Sequence, residues 1–204
     1  MTSAAQRPRV GRPRTYDAGT ERELVIDAGY TALREFGESL TISHILGAAG
    51  VSTRSFYRHF ASKDALLCAM YRRDAEYVAE RLRERVESAA APRTAVEGWI
   101  DEIYAMVRSR RRHERVSVLR SIEANRAEGA DAEAAHARRL LIAPLRQAIG
   151  TGVASGDFVA VDDRLAAEMI AAAVLHAAGL SHVAARPPLD QGAVTELCLR
   201  SIGA

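Results

Sequence analysis

Between Thr41 and Lys63 the chain reads TISHILGAAGVSTRSFYRHFASK. The chemistry on offer is hydrogen bonding and cation contact, without a nucleophile–base pair or a metal-ligand set. Phe56 and Phe60, four apart, supply a core anchor for a short helix. Around them Thr53, Arg54, Ser55, Tyr57, Arg58 and His59 are all polar or amphipathic. A short helix with one buried stripe and several hydrogen-bonding groups suits insertion into the major groove of DNA. Thr41, opening the preceding helix, and Lys63, just after the polar one, are placed to hold phosphates, helped by backbone amides near Thr41. The other reading of these residues is an amphipathic helix pair in an ordinary bundle.

The elements that must position this segment follow from caps and periodicity. A helix-turn-helix needs a tight corner between two helices, and Gly50 can supply the positive φ there. Ala49 and Val51 can fill the small interhelical space, and Ser52 or Thr53 caps the second helix. Upstream, Thr20 with Glu23 reads as a capping box, and Val25, Ala28, Ala32 and Phe36 mark one buried helical face up to a C-cap at Gly37. The second helix runs from about Thr41 to Gly50, with Ile42, Ile45, Leu46 and Ala49 inward, and the third from about Ser52 to His59. Ser62, Asp64 and Ala65 open a fourth, continuing to about Ser88. Beyond the break at Ala91-Pro92, the pattern predicts helices near 94–110, 114–128, 131–155, 162–184 and 189–202. Pro144 should kink the third of these, and Pro187-Pro188 separates the last two. No stretch alternates with period two. The expected fold is all-α, with about nine helices.

Composition bounds the rest. The 204 residues are 48% hydrophobic and 26% charged, ordinary for a globular protein. No run of about 18 uncharged apolar residues suggests a membrane span, and the N-terminus carries no apolar signal segment. Two distant cysteines, Cys68 and Cys198, fit a reducing cytoplasm. Net charge is only +2, yet residues 1–74 carry +3 and the remainder −1. The first 16 residues hold Arg7, Arg9, Arg12 and Arg14 without an acid, and Ser39 to Lys63 again hold none. That asymmetry hints at a polyanion partner at the N-terminal end. One lysine stands against 27 arginines, which codon bias explains without any nucleic acid. Enzyme motifs are absent: no HExxH, GxSxG or Walker A occurs, and Gly150, Gly152 and Gly156 miss the dinucleotide spacing. No cofactor, metal or enzyme activity is expected. The six histidines are dispersed, and the run from Arg108 to Arg112 reads as a solvated corner.

The stretch Ala48-Ala49-Gly50-Val51-Ser52, followed by Phe56-Tyr57-Arg58-His59-Phe60 and Ser62-Lys63-Asp64-Ala65-Leu66, resembles the N-terminal DNA-binding domain of TetR-family (TetR/AcrR) transcriptional regulators. The resemblance covers roughly residues 20–68. It implies a basic arm over 1–19, a helix-turn-helix domain over 20–68, and an effector-binding and dimerisation domain over 69–204. By position, Thr41 corresponds to a phosphate contact, and Ser43 and His44 border DNA. Thr53, Arg54, Ser55 and Arg58 take base-reading and groove-facing positions, and Tyr57, His59 and Lys63 take backbone-contact positions. Two departures are Leu46, where the family has a small alanine, and Gly47 inside the helix. Arg12 and Arg14, in Gly11-Arg12-Pro13-Arg14, resemble an AT-hook core that can enter a narrow minor groove; the alternative is a solubilising tail.

One head of this size binds weakly, so a dimer on a pseudo-palindromic double-stranded operator is expected. The candidate interface is the last helix pair. Ala167, Ile170, Ala171, Val174 and Ala178 lie in a helix apolar nearly all round, and Val194, Leu197 and Cys198 lie in the next. The resemblance implies that these helices pair across a two-fold; the alternative is an internal core helix. Between head and bundle, Trp99, Ile103, Val107, Leu119, Leu141 and Leu145 could line a cavity, with Tyr104 and Glu123 as its polar members. They fit a packed core equally well. The function implied is a sequence-specific repressor released by a small apolar or amphipathic effector that draws the two heads out of register. The alternative is a DNA-binding regulator without a small-molecule effector. No membrane partner is expected.

Overall fold

The computed structural model describes residues 18–109, 118, 121–180 and 188–204, which form nine α-helices and no strand. They are α1 (Ala18–Phe36), α2 (Ile42–Ala49), α3 (Thr53–His59), α4 (Lys63–Glu87), α5 (Pro92–Arg108), α6 (Ile122–Arg126), α7 (Ala130–Ser155), α8 (Asp163–Ala177) and α9 (Gln191–Ser201). A 3₁₀ turn, Gly37–Ser39, links α1 to α2. The arm with Arg12 and Arg14, and Leu119, lie outside the described residues, as does the side chain of Glu123.

Several boundaries depart from the sequence pattern. Thr20 sits inside the first turn of α1 rather than capping it, because the helix already runs from Ala18. Pro92 is the first residue of α5, where its missing N–H costs nothing. Of the helix expected near 114–128, the described part is α6 alone. The span expected to reach 184 ends at Ala177, since Gly179 turns to φ +76 and the Leu180 amide donates to the Leu175 carbonyl, a Schellman closure. α7 runs through Pro144 in one span. No helix among the described residues is long and apolar enough to cross a membrane.

Two apolar cores share one long helix. The head core joins Val25 and Ile26 of α1, Ile45 of α2, Phe56 and Phe60 around α3, and Leu66, Leu67 and Met70 of α4. α1 and α4 cross closely at Gly29, where an added Cβ would lie 2.7 Å from the Met70 sulfur. The body core starts further along α4 at Val78, Leu82 and Val86 and adds Trp99, Ile103, Leu145 and Ile149. The boundary expected at residue 68 therefore falls within a continuous helix rather than at a linker. The head core also takes in Val118, Ala124, Ala127 and Ala137, so α6 and the start of α7 pack on the head.

The last two helices require a correction. Ala167, Ile170, Ala171, Val174, Ala178 and Cys198 are at most 4% exposed and sit in the chain's own body core, so they are not free to form a face. Val194 is half-buried against that core, and Leu197 alone of the expected set is exposed. The outward stripe consists instead of Leu165, Met169, Ala172 and Ala173 on α8, with Leu197 on α9.

Candidate DNA interface

The corner is built from local hydrogen bonds. The Thr41 hydroxyl accepts from the His44 amide at 3.3 Å, and His44 Nδ1 accepts from the Thr41 amide at 3.3 Å, closing a capping box at the start of α2. Since Nδ1 accepts, the neutral imidazole carries its proton on Nε2. The ring stacks on Phe36 with centroids 3.7 Å apart. At the other end Gly50 takes φ +64 and its amide donates to the Leu46 carbonyl at 2.9 Å. The Ser52 hydroxyl then accepts from the Ser55 amide at 3.1 Å and starts α3. Ser62 does the same for α4 through the Ala65 amide at 3.0 Å. Gly47 leaves open space where a Cβ would stand, so no packing requires it.

The site residues divide into two sets. Thr41, Ser43, Thr53, Arg54, Tyr57 and Arg58 are exposed, and His44 is half-buried beside them. Tyr57 keeps about half its surface open, with its ring edge-on to Phe56 at 5.4 Å. Lys63, the first residue of α4, donates from Nζ to the Leu40 carbonyl at 3.2 Å. Ser55 and His59, expected at the groove, face the protein instead. Ser55 is buried, and the His59 side chain is 7% exposed.

Both turn inward to Glu21 of α1, a residue that the sequence did not single out. Ser55 Oγ donates to Glu21 Oε1 at 2.5 Å, and His59 Nε2 donates to Oε2 at 2.9 Å. Arg58 Nη2 also donates to Oε2, and to Ser55 Oγ at 2.8 Å. The signal that could have found Glu21 is its type and place: an acid one turn into α1 with no basic partner on its own helix face. Hydrogen bonds from Ser55, then His59, then Arg58 outweigh the burial that would raise the carboxyl, and its pKa falls from 4.5 to about 2.

A depressed carboxylate contributes stability that is complete above its unfolded pKa and lost as pH falls through its folded one. The Glu21 contribution should therefore be whole above about pH 4.5 and disappear toward pH 2. Urea unfolding between pH 6 and 2.5 should show the native chain losing more stability than Glu21→Gln across that window. Parallel curves would show that the carboxylate is not held this way.

The head is joined to the body by a second buried acid. Asp74 of α4 accepts from the Tyr30 hydroxyl at 2.6 Å and from the Val118 amide at 3.2 Å. Burial first, and Asp74 second, raise the Tyr30 phenol above its usual range, so it stays a donor. Lower down, Asp64 accepts from the Glu128 amide at 2.9 Å, and Arg126 pairs with Glu38 at 3.3 Å.

In the body, Trp99, Ile103, Tyr104 and Leu145 are buried together, and Val107 and Leu141 pack half-buried against them. The Trp99 indole donates to the Leu141 carbonyl at 3.0 Å, in the turn before Pro144, where the helix lacks one amide donor. The Tyr104 hydroxyl is buried without a hydrogen-bond partner among the described residues.

Residues 22–70 match the bacterial regulatory proteins of the tetR family. No curated protein is similar enough to the chain to match it. Among solved structures, the transcriptional regulator FadR from Bacillus subtilis, crystallised with stearoyl-CoA, superposes with a TM-score of 0.68 at 19% identity, covering 88% of this chain and 96% of its own. A TetR-family regulator from Agrobacterium tumefaciens gives 0.66 at 20% identity over 92% and 100%. Reduced NemR from E. coli gives 0.68 at 20% identity over 90% and 98%. At these identities the solved structures show a shared fold, and the family match is confined to the head. Residues 22–70 form a helix-turn-helix domain that matches the tetR family of bacterial regulatory proteins.

Proposed function

We propose that this protein acts in the cytoplasm as a homodimeric repressor that occupies a pseudo-palindromic operator and leaves it when a small apolar or amphipathic effector binds. The observation that carries the DNA contact is the two-sided character of α3. Phe56 and Ser55 are buried, while Thr53, Arg54 and Tyr57 stand in solvent. A polar face held rigid from behind is preorganised to enter a groove, and it spends little ordering entropy on doing so. Thr53 and Arg54 take the base edges; Thr41, Ser43, Tyr57 and Lys63 take the backbone, with half-buried His44 beside them.

The effector reading rests on Tyr104. A buried hydroxyl without a partner costs about 1–3 kcal/mol, and a ligand acceptor would recover that cost. Its apolar neighbours Trp99, Ile103 and Leu145 suit an acyl or aromatic body. The similarity in fold to FadR, crystallised with stearoyl-CoA, agrees with that chemistry. Binding there would act on α5 and α7 and reach the head through α6, the start of α7 and the Tyr30–Asp74–Val118 connection.

Selection from randomised duplexes with the purified protein, followed by a ligand screen for release, tests the whole reading. Tyr57→Ala and Lys63→Ala should both weaken binding across all sequences, and Lys63→Ala alone should lower the salt slope, by about 1 per head. Arg54→Ala should relax preference at one base pair per half-site by about 1–3 kcal/mol. Tyr104→Phe should blunt release while leaving operator affinity unchanged. Equal losses at Arg54, Tyr57 and Lys63 with no change in preference would remove this division of roles, and a screen without any releasing ligand would favour an effector-free regulator.

A further inference from the structure

Both hydrogens of Arg58 Nη2 have acceptors within the protein, one on Glu21 Oε2 and one on Ser55 Oγ. The consequence follows from the shape of a guanidinium. Guanine is read by two parallel donors on its O6 and N7. Arginine has two such edges: Nε–H with Nη2, and Nη1 with Nη2. Each edge needs a hydrogen of Nη2. With both committed, Arg58 retains only single donors on Nε and Nη1, although its side chain is 63% exposed. Glu21 itself is fixed by Ser55 and His59, so the carboxylate does not swing away with the arginine.

We propose that Glu21 is a specificity-determining residue of the DNA-reading head: it withholds the bidentate edge of Arg58 from guanine and leaves that arginine for single contacts with phosphates. Base choice then falls to Thr53 and Arg54. The carboxylate also cancels one positive charge at the interface, which lowers the electrostatic part of binding. This inference rests on the DNA-reading function proposed above.

Glu21→Gln separates positioning from mere support. The amide keeps the volume and can still accept from Ser55. Its NH₂ group, however, would face the donors of Arg58 and His59 and release the arginine. The test is duplex selection with the full chain in four forms: native, Glu21→Gln, Glu21→Gln/Arg58→Ala, and Arg58→Ala, each with a thermal melt. The native chain should select an operator. Glu21→Gln should gain preference for guanine at one position in each half-site, by about 5- to 100-fold. Its salt slope should steepen by about 1 per head. The double variant should lose that gain. Arg58→Ala alone should weaken binding evenly and remove no guanine preference, a result that does not depend on how well Glu21→Gln folds.

Two outcomes would overturn the inference while leaving DNA reading intact: a folded Glu21→Gln chain that selects the native sequence with native preferences, or Arg58→Ala alone abolishing a guanine preference. A native chain that selects no sequence at all would overturn the DNA-reading function and this inference with it.

Discussion

Phe56→Ala should cost the head about 3–5 kcal/mol, the usual loss for removing a buried phenylalanine, and with it operator binding. Phe56 has no exposed surface and lies at the centre of the head core, 5.8 Å from the Phe60 ring. α3 has seven residues, too few to be helical alone in water. Its geometry is set by that ring from inside and by Glu21 through Ser55 and His59. A cavity there removes the anchor and leaves the polar contacts to hold a helix that cannot nucleate itself. Domains have about 5–15 kcal/mol of stability to lose, so a deficit of this size leaves a large unfolded fraction at moderate temperature. Trp99, the chain's only tryptophan, lies in the body core and provides an independent probe. In a urea titration, far-UV helicity and DNA binding should fall at a lower concentration than in the native chain, before the Trp99 fluorescence transition. A loss below about 1 kcal/mol would mean that Phe56 does not anchor the reading helix.

What the sequence revealed about the head, and what it hid, has one physical origin. The caps at Thr41, Gly50, Ser52 and Ser62 satisfy backbone groups within three or four residues of themselves, so composition and spacing mark them. The inward turn of Ser55 and His59 depends on Glu21, more than thirty residues earlier, and no local pattern says which polar residue of a seven-residue helix meets it. The same limit operates at α8. Its alanines are apolar on every side, and the spacing of Ala167, Ile170, Ala171, Val174 and Ala178 marks the face that meets the chain's own core rather than a mate. Leu165 and Met169, four residues apart, lie on the other face and are exposed. At the 68/69 boundary the helical period of α4 continues without a break, while the core it serves changes.

Met169 is 65% exposed and Leu197 67%, with Leu165 at 59%, on the two helices that end the chain. Leu165, Met169, Ala172 and Ala173 follow the helical spacing of one face of α8, and large exposed apolar side chains grouped in this way mark an interaction surface rather than scattered exposure. A copy of the same face is self-complementary across a two-fold and would bury Leu165, Met169 and Leu197 against the small Ala172 and Ala173. Met169→Arg with Leu197→Arg would place like charges on both sides of such an interface, up to four at its centre. Sedimentation should show a dimer for the native chain and a monomer for the variant. The head cores should melt unchanged, because neither residue touches them. A single head binds without the effective concentration supplied by its mate, so operator affinity should fall by about 10²-fold or more while non-specific affinity per head stays constant. A variant that remains a dimer would move the interface to another face of the body. A native chain that is monomeric at operator-binding concentrations would remove the two-headed reading altogether.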